Sequence, residues 1–248
     1  MLIPISDDNS DRISTPYIVY FLIAVNVIVF LLEISGGSAF IAGYSVIPYE
    51  ITHGVDLVTS GRLRAGEMLQ APGPSPIYLT LISAMFMHGG FMHIAGNMLY
   101  LWIFGDNVED DFGHFKFLIF YLVCGLTASF SQIAVDPNSM IPSLGASGAI
   151  AGVLGAYLIM FPRNRVRCIL PLGFIWTTIE LPAIAVLGFW IVLQVISQYT
   201  AFSHTAQRSG GVAYMAHIGG FAAGIVLTFL FRSRRPPRFR TASYYEDD

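Results

Sequence analysis

The sequence predicts an all-α polytopic membrane protein, a bundle of six transmembrane helices with both termini in the cytoplasm. Three observations carry this. Hydrophobic residues make up 54% of the 248 residues and charged residues 12%, against about 25% charged in an ordinary soluble domain. Mean hydropathy is +0.63. The apolar residues gather into six stretches of the kind that cross a bilayer as helices, which takes about 20 residues each.

The same composition excludes other classes. A disordered chain is poor in apolar residues. A cytosolic enzyme of this length needs more charge to cover its surface. Thirteen Lys+Arg are too few for a phosphate-neutralising surface, so no nucleic-acid partner is expected. Cys124 and Cys168 make neither a disulfide framework nor a zinc spacing. No metal and no cofactor are expected.

In chain order, residues 1–16 are expected to form a short cytoplasmic N-terminal segment, and no soluble accessory domain is expected. The first span, 17–35, is too long for a signal-peptide core and is expected to remain as a helix. Residues 40–51 hold Gly43, Pro48 and Glu50 and are too broken to cross. The long loop 36–84 carries the turn run Ala71-Pro72-Gly73-Pro74-Ser75-Pro76. A loop of this length is more than a connector. The second and third spans are 85–104 and 115–135. The fourth, 147–161, is short and Gly-rich, so protein rather than lipid alone must flank it. Residues 168–181 hold Pro171, Gly173 and Glu180 and read as an interfacial segment leading into the fifth span, 183–200. The sixth span is 214–231. A basic then acidic tail, 232–248, follows and is expected to be disordered over 241–248.

Basic residues set the sidedness. Ten (Arg12, Lys116, Arg163, Arg165, Arg167, Arg232, Arg234, Arg235, Arg238 and Arg240) fall on one side of the six spans, and three (Arg62, Arg64 and Arg208) on the other. The positive-inside rule puts the ten in the cytoplasm, with both termini. Spans two, four and six then run from outside to inside, and the loops 36–84, 136–146 and 201–213 face outward.

Polar side chains inside spans are costly and need a reason. Asn26, Gln194 and Gln198 read most simply as interhelical hydrogen bonds or interfacial positions. A second set converges. His93 and Asn97 lie four apart, on one face of span two. His88 falls in the turn that precedes it. Ser147 opens span four within Gly145-Ala146-Ser147-Gly148, and His217 lies near the start of span six. Each of His93, Asn97, Ser147 and His217 occupies the first half of an inward-running helix, so the four share one depth near the outer face. Gly148, Gly152 and Gly155 in span four, and Ala216, Gly220 and Gly224 in span six, form small-residue rows that allow close helix approach. Packing on these rows would bring Ser147 to His217.

Taken singly these residues have simpler explanations. A serine at a helix start commonly caps it, and a buried histidine usually just satisfies a hydrogen bond. Together they supply acyl-transfer chemistry. A serine hydroxyl becomes a nucleophile when a base takes its proton, and His217 can be that base and then the acid. Asn97, His93 and the Ser147 backbone N–H are donors for an oxyanion. No central carboxylate lies in any span, so a Ser–His dyad is the economical reading. A zinc protease would need His-Glu-x-x-His, which is absent. An aspartyl protease would need two intramembrane aspartates, and Asp106 has no such partner.

On His93-x-x-x-Asn97, Gly145-Ala146-Ser147-Gly148 and Ala216-His217-x-x-Gly220-x-x-x-Gly224, placed on alternate helices, the sequence resembles the rhomboid intramembrane serine proteases over residues 15–232. His88 matches a common family histidine. The resemblance implies a six-helix fold with an outward-opening dyad, Ser147 as nucleophile and His217 as general base. Asn97, His93 and the Ser147 N–H would form the oxyanion hole, while His88, Gly148, Gly152, Gly220 and Gly224 serve structure and helix packing. It implies cleavage of single-pass transmembrane protein substrates in or near the outer half of the bilayer, at sites with small residues. The expected location is the cell (inner) membrane of a prokaryote, with the active site on the extracellular or periplasmic side. Two positions depart from the family pattern. Tyr78-Leu79-Thr80-Leu81 stands where many members carry a Trp-Arg pair, and Ala151 stands where many carry an aromatic that packs on the histidine. The alternative is a catalytically silent relative that binds membrane proteins, or a small transporter. Silent relatives typically lack the Ser or the His, and both are present. A transporter would show an internal repeat or paired ion ligands at a broken helix.

Overall fold

The computed structural model describes residues 2–62, 70–172, 175–203 and 212–233. Arg64, Arg208 and the tail beyond Ser233, which entered the sidedness count above, lie outside the described residues.

Apolar runs become long helices wherever nothing interrupts them. Helix α1, Tyr17–Tyr44, outlasts its 17–35 run because Gly37 adopts φ +66°, which only glycine takes without strain, so the chain kinks and resumes its helix. The broken 40–51 segment supplies the last turns of α1 and then α2, Pro48–His53. A cluster of short helical turns over 77–86, with α3 at Thr80–Ser83, meets α4, Phe91–Phe112, at a bend of 76°. Helix α5, His114–Val135, follows Gly113 directly. Then come α6, Ser147–Met160, α7, Ala183–Ser203, and α8, Tyr214–Phe231.

Four of these helices are long and apolar enough to cross a membrane, and the bent pair Ile77–Phe86 with Phe91–Phe112 makes a fifth if counted as one span. Helix α6 has 14 residues, about 21 Å at 1.5 Å per residue, short of the roughly 30 Å hydrocarbon layer. Its surroundings are protein: every residue from Gly148 to Tyr157 is buried. It is the axis on which α4, α5 and α8 pack, within one core cluster.

The α6–α8 contact is backbone to backbone. A Cβ on Gly220 would collide with the Gly148 carbonyl oxygen, and one on Gly224 with the Gly152 carbonyl oxygen. Small-residue rows of this kind drive association where lipid offers no hydrophobic difference. In contrast, the outer face of α7 leaves Phe189, Val192, Val195, Ile196 and Tyr199 exposed, as lipid-facing residues would be.

Helix α4 runs past the apolar stretch 85–104 to Phe112, carrying Asp106, Asn107, Glu109 and Asp110 in its last turns. The N-terminal segment and the start of α1 satisfy them. Glu109 accepts the backbone N–H groups of Ile18 and Val19 at 2.9 and 2.8 Å, capping α1 from another helix. Asp110 accepts from the backbone and hydroxyl of Ser14, and Asp106 pairs with Arg12 at 2.7 Å.

A small antiparallel sheet closes this end of the bundle, in the order β1 (Ile3–Asp7), β2 (Arg165–Leu172), β3 (Ile175–Pro182). Residues 168–181, read above as an interfacial segment, are thus most of a hairpin whose register pairs Arg167 with Glu180. Its first strand comes from the short N-terminal segment, with Ile3 opposite Ile169. Pairing partners so far apart in the chain leave no local signal. Asp7 anchors β1 to the bundle by accepting from the Tyr157 hydroxyl at 2.6 Å and the Asn107 amide at 2.8 Å.

Candidate active site

Ser147 is the first residue of α6. Its own N–H therefore has no intrahelical acceptor and remains available as a donor. Two residues earlier, Gly145 has φ +137°, and a Cβ there would lie 3.1 Å from the His93 ring and 3.4 Å from the Ser147 hydroxyl. Glycine is required by both its backbone conformation and the room it leaves.

His217 sits in the first turn of α8. Its Nε2 lies 2.8 Å from Ser147 Oγ, and its Nδ1 lies 2.8 Å from Gln194 Oε1 on α7. The two ring nitrogens thus have separate partners on separate helices. The Trp190 ring, one turn before Gln194, stands 5.8 Å from the imidazole at a 37° tilt. The backbone around His217 is also held, because Gln132 on α5 accepts the Ala216 N–H at 3.3 Å.

His93 lies against Gly145 and accepts the Gly89 N–H at its Nδ1, at 3.2 Å. An acceptor Nδ1 places the ring proton on Nε2, which makes that nitrogen a donor. Asn97, one turn on, is buried, and its Nδ2 has no hydrogen-bond partner among the described residues. Such an orphaned donor is expensive unless something else is meant to receive it. His88 is fully buried behind His93, ring centroids 5.2 Å apart, and its backbone N–H donates to the Glu33 carboxylate at 2.9 Å.

Ser147, His217 and His93 are therefore brought together, with Asn97 on the His93 face and His88 one layer back. Gly148, Gly152, Gly220 and Gly224 lie at the α6–α8 contact. A cavity of about 30 Å³ beside Ser147 is lined by small residues such as Gly145, Gly148 and Ala216 together with the larger Met85, Ile133 and Leu144. Among the described residues no group of three or more His, Cys, Asp or Glu side chains could hold a metal ion.

Gln194, read from the sequence as an interhelical hydrogen bond or an interfacial position, makes such a bond, and its partner is His217, which the sequence did not indicate. The signal for the bond was present: a polar residue in the middle of an apolar helix, four after Trp190. The face it occupies was not readable until α7 was placed against α8. Asn26, by contrast, bonds the Leu22 carbonyl of its own helix at 2.7 Å. In place of the aromatic missing at Ala151, which is itself buried, Trp190 provides the ring beside His217 from another helix.

Fold and site together define a polytopic helical membrane protein that holds a serine–histidine pair at one end of its bundle. The model of the Rhomboid domain matches residues 76–234, and the chain belongs to the rhomboid family of membrane proteins. It is 32% identical to Rhomboid protease GluP of Bacillus subtilis over 210 residues, covering 84% of this chain and 36% of that one. It is 32% identical to RHOMBOID-like protein 5 of Arabidopsis thaliana over 154 residues, 62% of this chain and 44% of that one. Rhomboid protein 1, mitochondrial, of Saccharomyces cerevisiae is 30% identical over 152 residues, 60% and 40% of the two chains. The chain thus spans less than half the length of these relatives.

Proposed function

We propose that this protein is an intramembrane serine endopeptidase that cleaves transmembrane protein substrates through a Ser147–His217 dyad. The observation that carries the reading is the 2.8 Å approach of His217 Nε2 to Ser147 Oγ. Membership in a family whose relatives include a named protease supports it.

In this mechanism His217 Nε2 takes the Ser147 hydroxyl proton as Oγ attacks the scissile carbonyl carbon. The oxyanion that forms is met by the Ser147 N–H, the Nε2–H of His93 and the unpartnered Asn97 amide. The imidazolium then protonates the leaving nitrogen as the C–N bond breaks. Water, deprotonated by the same histidine, hydrolyses the acyl-enzyme. The small cavity beside Ser147 suits small side chains at the cleavage site.

The six helices α1, α4, α5, α6, α7 and α8 are read as six passes, with α6 crossing as a short helix sheathed by protein. The termini lie in the cytoplasm and the site opens to the extracellular or periplasmic side of a prokaryotic cell membrane. Substrates are single-pass proteins cut in the outer half of the bilayer.

The test is incubation of the purified protein with a transmembrane test substrate, wild type beside Ser147→Ala. Cleavage by the wild type alone is expected. Equal cleavage by well-folded Ser147→Ala would overturn the serine mechanism.

A further inference from the structure

We propose that Gln194 is the positioning residue of this site, an uncharged third member that fixes the tautomer of His217. The proposal rests on the serine-protease reading above and adds to it a residue on a helix that the sequence motifs do not touch.

To accept the Ser147 proton, Nε2 must present its lone pair, so the ring proton must sit on Nδ1. A neutral imidazole does not choose that form unaided. The partner of the other nitrogen decides. Serine hydrolases in water-soluble folds use a carboxylate for this purpose, but among the described residues the partners of the His217 ring are Ser147 and Gln194, not a carboxylate. The structure places the Gln194 carbonyl oxygen 2.8 Å from Nδ1. An amide oxygen is an acceptor, so it holds the proton on Nδ1 and leaves Nε2 free toward Ser147 Oγ, 2.8 Å away.

An amide also suits the setting. A carboxylate at this depth would carry the desolvation cost of a charge in a low-dielectric interior. Asp and Glu inside spans are correspondingly rare. The amide gives orientation without that cost, and its dipole still favours the imidazolium that forms when Nε2 is protonated. Through acylation the Nδ1–H stays on the ring, donating to Gln194. Only the Nε2 proton moves, first from Ser147 Oγ and then to the leaving nitrogen.

Helix α7 is built to deliver this group. Ala183, Leu187, Trp190 and Gln194 follow a four, three, four spacing, which puts them on one face. Ala183 and Leu187 on that face are fully buried. Trp190 then stands beside the imidazole, and Gln194, one turn on, meets its edge. The α7 face thus supplies both the ring contact absent at Ala151 and the acceptor for Nδ1. Among the described residues, the groups facing the ring from the other helices are Ser147 on α6 and the titratable His93 on α4.

The experiment reads the tautomer without needing turnover. Protein labelled with 15N at histidine, in detergent at pH 8, is compared as wild type, Gln194→Met and Gln194→Glu, with His217→Ala assigning the resonance. Wild type is expected to show His217 protonated at Nδ1. Gln194→Met, of similar volume but with no acceptor there, should move the population to the Nε2–H form. Gln194→Glu should retain Nδ1–H. A wild-type ring protonated at Nε2, or an unchanged tautomer in Gln194→Met, would overturn the proposal. Cleavage runs in parallel. Gln194→Met should lose roughly 10²-fold in kcat with KM within about twofold, because orientation and not substrate binding is removed. Gln194→Glu should recover much of the rate, with the acidic limb of its pH–rate profile moved to higher pH as the carboxylate stabilises the imidazolium. Wild-type kcat in Gln194→Met would also overturn it. If Gln194→Met does not fold, Gln194→Leu, which also lacks an acceptor, takes its place, with the same expected shift and the same overturning result. A wild type that shows the Nδ1–H tautomer but neither cleaves nor loses anything in Ser147→Ala would instead refute the protease reading and leave the positioning contact standing.

Discussion

His217 Nε2 lies 2.8 Å from Ser147 Oγ although 70 residues separate them in the chain. The approach depends on α6 and α8 meeting backbone to backbone at Gly148, Gly152, Gly220 and Gly224. The chemistry at one end of the interface and the packing along it are therefore coupled.

Ser147→Ala and His217→Ala should each lower cleavage by roughly 10³-fold or more, since nucleophile and base act as one unit. A fluorophosphonate probe should label wild type at Ser147 and fail on both variants, while their thermal melts stay near wild type. Labelling of His217→Ala at the wild-type rate would remove His217 as the base.

Asn97→Ala should reduce kcat by roughly 10²-fold, the usual consequence of deleting one oxyanion donor. Its amide nitrogen has no partner in the described structure to lose, so the melting temperature should change little. His93→Ala should lower both, because its ring also holds the Gly89 N–H and lies against Gly145. Unchanged kcat in both variants would leave the oxyanion to backbone donors alone.

Gly220→Leu should be among the most damaging substitutions away from the site. A side chain there meets the Gly148 carbonyl and must push α8 from α6. Activity should fall steeply, as expected when reacting groups lose their near-contact geometry, and the melting temperature should drop as well. Gly96→Ala, where an added Cβ meets nothing within 4 Å, serves as the tolerated control. A wild-type melt for Gly220→Leu would contradict the packing.

Sidedness can be read with a membrane-impermeant thiol reagent on intact cells, in a Cys124→Ala, Cys168→Ala background. Both native cysteines are buried. A cysteine at Asn138, in the α5–α6 loop on the Ser147 end, should label. One at Arg232, just past α8 at the opposite end, should not. The reverse pattern would turn the active site toward the cytoplasm.

Asp7 should make stability pH-dependent. Burial lifts its carboxyl above the ordinary value of 3.8, despite the hydrogen bonds from Tyr157 and Asn107 that favour the ion. A raised folded-state value means that the fold favours the protonated form. Its contribution to stability is full below the unfolded value and is lost as pH rises through the folded one. Thermal melts in detergent taken upward in pH from the ordinary carboxylate value should therefore show a steeper decline for wild type than for Asp7→Asn. Parallel curves would show that Asp7 does not carry this dependence.

What the sequence by itself determined is the membrane class, the position of the long helices and the residues singled out for chemistry. Runs such as 17–35 and 214–231 are legible because the bilayer sets a length that a chain must meet with apolar residues. Ser147, His217, His93 and Asn97 stood out because polar groups in such runs need a reason. Tertiary structure decided the rest, wherever the partner lies far away in the chain. The strand Ile3–Asp7 exists because β2 is there to pair with it. Helix α4 continues through Asp106, Glu109 and Asp110 because Arg12, Ser14 and the first N–H groups of α1 bond their carboxylates. Gln194 looked like one more interhelical amide until the α7–α8 packing set its oxygen on His217 Nδ1. Hydropathy records where a residue can reside. Which neighbour it meets follows from the rotation and register of packed helices, which are set by side-chain contacts between segments distant in the chain.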